Sequence, residues 1–105
     1  MYVVVLVTTK DRRQAKAIAG KLLEEKLIAC ANIVGNVQSF FWWDGKIDEA
    51  QETLLLLKTK RSLFRKLART VKRCHSYDVP EIIALPVVKG YNPYLQWVNA
   101  STKRK

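Results

Sequence analysis

Asp44-Gly45 sits between two long runs of strand-forming residues, and no other feature constrains the chain as strongly. A type I′ turn needs positive φ at both central positions, which Asp-Gly supplies readily. The flanking arms read as strands over residues 27–43 and 46–59, the first bent by a bulge at Gly35-Asn36. Each arm is about 14 residues, or roughly 45 Å at the strand rise, against a usual five or six residues. The whole chain has 105 residues, and a domain of that length is only about 33 Å across, on a radius of gyration of roughly 13 Å. The hairpin must therefore overshoot its own domain or bend sharply. Its tip carries Phe40, Phe41, Trp42 and Trp43, an aggregation hazard if left in water. Pairing with another copy of the chain is the economical remedy, so length and hydrophobicity alone predict an oligomer.

The other elements fall in place around this hairpin. Residues 2–8 are a continuous β-branched run, the pattern of a central strand buried on both faces. Asp11 offers an N-cap with Gln14 as capping-box partner. Ala15, Ile18, Ala19, Leu22 and Leu23 then mark one apolar helical stripe over residues 12–26. A second helix is predicted over residues 60–74, with Leu63, Phe64, Leu67, Val71 and Cys74 facing inward. Residues 80–88 give a fourth strand, and Asn92-Pro93 caps and starts a last helix that turns Tyr94, Leu95 and Val98 inward. The order β-α-β-β-α-β plus a terminal helix specifies one α+β domain over residues 1–105, of ferredoxin-like type. Its two crossovers are right-handed and its helices lie on one face of an antiparallel sheet.

Composition removes several function classes. A 49% hydrophobic and 27% charged chain is that of a folded protein, not a disordered one. No apolar run approaches the roughly 18 residues that span a bilayer, and the start lacks the marks of a signal peptide, so the expected location is the cytoplasm. Cys30 and Cys74 are then two free thiols. With His75 the only histidine, one chain cannot supply the four ligands of a closed structural zinc site. There is no P-loop, GxGxxG or nucleophile elbow, and no enzymatic activity is expected.

Five segments, in order, resemble one family over essentially the whole chain. They are Leu27-Ile28-Ala29-Cys30-Ala31-Asn32-Ile33, Trp42-Trp43-Asp44-Gly45-Lys46-Ile47, Leu57-Lys58-Thr59-Lys60, Tyr77-Asp78-Val79-Pro80-Glu81-Ile82-Ile83 and Tyr94-Leu95-Gln96-Trp97. Together they resemble the CutA divalent-cation-tolerance family. The resemblance implies a ferredoxin-like subunit in a tight homotrimer, with long hairpins pairing across subunit edges and a PII-like architecture. It also implies a role in tolerance of divalent metals, copper above all. Ser76 stands where the family usually has proline, which leaves His75 a looser setting.

The candidate metal ligands are His75, Cys30 and Glu81, with Asp78 nearby. Thiol and imidazole suit copper, held weakly and not as an obligatory cofactor. Against this, Cys30 also reads as a small buried hydrophobe, and His75 as a helix C-terminal cap. Trp43, Lys58, Tyr77, Tyr94 and Trp97 are candidates for a small-molecule cleft between subunits, with simple interface packing as the alternative. Such a cleft would serve a PII-like signalling or scaffold trimer, open to an unknown regulatory protein partner. The net charge of +10 is concentrated in Lys58, Lys60, Arg61, Arg65, Lys66, Arg69, Lys72 and Arg73. Acidic residues Asp44, Asp48, Glu49 and Glu52 instead gather about the hairpin turn. The cations read as a solvated face or as ion pairs with a neighbour's hairpin. Attraction of a phosphate backbone, blind to base sequence, is the less favoured alternative; no RNP1-like pattern accompanies the cations, so nucleic acid is not the expected partner.

Overall fold

The strand residues sort into layers by simple alternation. In the computed structural model, which describes residues 1–103, β1 (Tyr2–Thr9) buries Val3, Val5, Val7 and Thr9 while the residues between them stay half-buried. β2 (Cys30–Trp43), β3 (Lys46–Lys60) and β4 (Ile82–Pro86) complete one antiparallel sheet of order β2-β3-β1-β4. The buried side of β1 meets α1 (Arg12–Glu24) and α2 (Phe64–Cys74), whose Ile18, Leu22, Leu67 and Val71 close the core over Leu55 and Leu57. The expectation that β1 is buried on both faces is thus half right. It is central, between β3 and β4, but α1 and α2 cover one side only, and its residues on the other side are half-buried.

The third helix corrects the expected layering. α3 (Asn92–Ser101) packs against β3 and brings Tyr94 beside Cys30, on the face opposite α1 and α2. Helices therefore stand on both sides of the sheet. Val98 is buried beneath α3, while Tyr94 remains 41% exposed. Tyr91, not Asn92, is the N-cap of α3 and makes no side-chain cap bond. Leu23 and Cys74, expected on inner faces, are exposed. Both occupy the margin of their apolar stripe, where the neighbouring layer ends.

Several boundaries shift inward for local reasons. α1 stops at Glu24, because Lys26 adopts φ 57 and its N–H bonds back to Leu23 O. β2 starts at Cys30, three residues later than expected, and β4 is confined to Ile82–Pro86. A 3₁₀ turn at Arg61–Leu63 precedes α2. Asp11 caps α1 as expected, its carboxylate accepting the Gln14 N–H at 2.8 Å. The reciprocal bond reaches one residue further back, from Lys10 N to Gln14 Oε1 at 3.1 Å.

The hairpin overshoots its domain as its length requires. β1 pairs with β3 only from Thr53 to Lys60, so before Thr53 the strand pairs, among the described residues, with β2 alone. The long axis reaches 44 Å against 26 and 22 Å across. Asp44 and Gly45 both take positive φ, at 51° and 74°. The predicted bulge is present, since Val34 pairs with Leu54 but Val37 with Glu52, and Asn36 has φ 59. That extra residue reverses the alternation of β2. Beyond it, Phe41 and Trp43 turn to the face opposite α1 and α2, while Phe40 and Trp42 take the helix side. Trp42 and Trp43 are 72% and 61% exposed.

Gly45→Ala should lower stability by about 1 kcal/mol, because an alanine Cβ is strained at positive φ. A denaturant midpoint unchanged from the parent would show that the turn relaxes without cost.

Candidate functional site

The face opposite α1 and α2 carries two polar clusters on one strand. Lys58 pairs across the sheet with Cys30, and its ammonium lies 4.0 Å from the Cys30 sulfur. The ammonium also donates to Asn32 Oδ1, which lies on the same face because side chains alternate with period two. Tyr94 approaches from α3, and its ring stacks at a tilt on Trp97 with centroids 5.6 Å apart. Burial, and then the neighbouring Cys30, raise the Tyr94 phenol above its ordinary value. Cys30 is thus not a fully buried hydrophobe. It is half-buried beside a cation, an amide and a phenol.

The second cluster lies where β1 ends. Glu52 lies on β3 immediately before Thr53, which makes the last pair with β1, at Thr9. It is only 8% exposed. The Tyr77 hydroxyl donates to Glu52 Oε2 at 2.8 Å from the loop after α2. Burial and that hydrogen bond push the Tyr77 phenol up to about 12. His75 anchors the same loop. Its Nδ1 accepts the Tyr77 N–H at 3.1 Å, so Nε2 carries the hydrogen donated to Thr8 O at 2.7 Å. His75 is the C-cap residue of α2 by backbone, yet its ring serves β1 and the loop. Despite Ser76, the ring is held at both nitrogens and is not loosely set.

These placements separate the candidate metal ligands. Lys58 and Glu52 are six residues apart on β3, which is about 20 Å at the strand rise, so Cys30 and His75 belong to different ends of the subunit. Glu81 is exposed just before β4. Among the described residues, no three His, Cys, Asp or Glu side chains come together in a way that could hold a metal ion. Both ring nitrogens of His75 are engaged within the subunit, by Thr8 O and the Tyr77 N–H. The cleft candidates divide likewise. Lys58, Tyr94 and Trp97 share the first cluster, Tyr77 belongs to the second, and Trp43 stands at the hairpin tip beside the turn. Asn32 and Glu52 complete the clusters but were not singled out in the sequence. Period-two spacing from Cys30 points to Asn32, and an acid abutting Leu54-Leu55-Leu56-Leu57 points to Glu52.

Comparison with known proteins fits this architecture. Residues 3–101 match the family described as CutA1 divalent ion tolerance protein. The chain belongs to the CutA1 family. It is 46% identical to the divalent-cation tolerance protein CutA of Thermus thermophilus, over 94% of this chain and 96% of that one. It is also 46% identical to the chloroplastic protein CutA 1 of Oryza sativa, over 96% of this chain but 57% of the relative. The chain thus spans little more than half the length of its plant relatives. The structure of the Thermus thermophilus protein superposes with a TM-score of 0.96, covering 98% of this chain and all of that one. A CutA structure from Archaeoglobus fulgidus, described as periplasmic, gives the same TM-score at 38% identity and covers 98% of this chain and all of the other. CutA1 membership confirms the ferredoxin-like α+β fold but does not by itself fix a cellular compartment. Among the described residues, no helix is long and apolar enough to cross a membrane.

Tyr77→Phe should cost about 2 kcal/mol, because the buried Glu52 carboxylate then loses the hydrogen bond it accepts from the Tyr77 hydroxyl. The wild-type phenol has its pKa raised above the unfolded value of about 10. Its contribution is therefore complete below that pH and is lost as pH rises towards about 12. Spectrophotometric phenolate titration checks this, since the variant should lack the latest-ionising tyrosine. An unchanged high-pH limb would mean that Tyr77 is not the group concerned.

Proposed function

We propose that this CutA1-family chain acts as a homotrimer in the response to divalent metal ions, copper foremost, and holds each ion weakly through donors from more than one subunit. The observation that carries this reading is the division of the molecule. The hairpin leaves Phe40, Trp42 and Trp43 exposed beyond the domain, while no described cluster within one subunit supplies three metal donors. Assembly answers both. A neighbouring subunit covers the apolar hairpin and the sheet face opposite α1 and α2, giving a PII-like arrangement, and brings donors that one chain keeps apart. Relatives in bacteria carry divalent-cation tolerance in their names, which supports the metal part of the reading.

The metal is then a transient signal or cargo, not a resident cofactor. Cys30 supplies a soft donor suited to Cu(I), and exposed Glu81 a carboxylate. His75 joins only by releasing Thr8 or Tyr77. No catalytic step is assigned to any residue. A reducing compartment such as the cytoplasm suits the two free thiols.

A second reading rests on the first cluster. The Lys58 ammonium, Asn32 and the Tyr94–Trp97 ring pair lie on the open face and form a site for a small anionic ligand, from which a PII-like trimer would signal to a protein partner.

Light scattering should give three chain masses. Calorimetric titration with copper should show weak saturable uptake that Cys30→Ser reduces and His75→Ala leaves nearly intact. A monomer, or an intact trimer that takes up no copper saturably, would defeat the first reading. In the latter case, stabilisation by a small anion, abolished in Lys58→Ala, would establish the second.

A further inference from the structure

Arg61, Arg65, Arg69 and Arg73 recur at every fourth residue, and all are exposed. The first stands on the 3₁₀ turn and the others on α2, so successive guanidinium groups start about 6 Å apart along the axis and drift slowly around it. Lys66 and Lys72 flank this ladder. No Asp or Glu stands in the sequence between Glu52 and Asp78. The acids that border the ladder come from elsewhere: Glu25, in a shallow groove with Lys66, Arg69 and Arg73, and Asp78, in another with Arg69, Lys72 and Arg73. Glu25 is already engaged by Lys21 at 3.1 Å.

Lys72 and Arg73 suit the C-terminal turn of α2, but the rest of this arrangement works against the helix that bears it. Like charges four residues apart repel, and Arg61, Arg65 and Lys66 crowd the helix N-terminus, where the macrodipole disfavours cations. The core needs none of them, because Leu67 and Val71 bury the opposite face completely. With its apolar stripe so occupied, α2 has none to insert into a bilayer, as an interfacial helix must. Arginine, with its planar fork, is the residue suited to phosphate oxygens.

We propose that the Arg61–Arg65–Arg69–Arg73 ladder is a docking surface for the phosphodiester backbone of nucleic acid, read by charge and not by base sequence. Its lack of an RNP1 pattern is consistent with this, since backbone contacts carry no sequence information. The surface lies on the helix side of the sheet, opposite the Cys30–Lys58 cluster, and ends at Arg73, two residues before His75. Binding there does not draw on the proposed copper donors.

The test is fluorescence anisotropy of the full chain with a labelled mixed-sequence 20-bp DNA duplex over a range of salt. Non-specific binding of this kind has a Kd of about 10⁻⁴–10⁻⁶ M at physiological salt. The slope of log affinity against log salt should become shallower by about 0.9 in Arg61→Gln and about 1.8 in the Arg65→Gln, Arg69→Gln pair. Molar mass and far-UV circular dichroism should be unchanged. Equal slopes in parent and variants would overturn the proposal. So would loss of the parent's oligomeric state in the variants, which would make the ladder an assembly surface, or preferential binding to phosphatidylserine vesicles over the duplex.

Discussion

Strand β3 serves two environments, and the rest of the molecule is arranged around that division. From Thr53 onward it is an inner strand, hydrogen-bonded on both sides, with Leu55 and Leu57 fully buried under the helices. Before Thr53 it pairs with β2 alone and carries Asp48, Glu49 and Gln51 in solvent. One continuous backbone thus joins a closed core to a ribbon with a free edge, and backbone groups along such an edge invite a further strand. Glu52 sits at the junction. Its buried carboxylate would be costly without the Tyr77 hydroxyl, so the loop after α2 is fastened where the ribbon leaves the domain.

The bulge at Gly35-Asn36 governs what that ribbon can offer. Without the extra residue, the alternation inherited from Ile33 would continue to the tip. With it, Trp43 and Phe41 share the face of Cys30 and Lys58, while Trp42 and Phe40 take the other. Aromatic surface is consequently divided between both sides of the overhang. A partner that covered one side alone would leave large rings in water, which favours enclosure of the ribbon over edge pairing by itself.

The polar residues of the sheet stand on the face that the helical layer does not cover. Lys58 and Cys30 interleave with Leu57 and Ala31, so alternation alone separates a chemical face from a packed one. α3 then crosses the chemical face and encloses the Cys30 thiol on one side with Tyr94. The cations of α2 face the other way. The structure thereby keeps the thiol–lysine cluster and the arginine ladder on opposite sides of one sheet, which a chain of this size achieves only because the sheet is a single layer thick.

Much of the local chemistry was legible in the sequence, though the cap of α3 and several element ends were not. Asp44-Gly45 fixed the turn, Gly35-Asn36 the bulge, Asp11 and Gln14 the start of α1, and the two periodicities the order of strands and helices, because each depends on residues within a few positions of one another. The overhang followed from arm length alone. Hidden in the sequence were the facts set by long-range placement. The choice of side for α3 depends on where the sheet leaves apolar surface uncovered, and no local pattern records that. The engagement of both His75 nitrogens depends on a backbone carbonyl 67 residues away, and the separation of His75 from Cys30 on the extent of β3 between their clusters. Sequence settled what each segment would become. Tertiary structure alone decided which side chains meet, because contact is a property of packed layers and the chain order does not carry it.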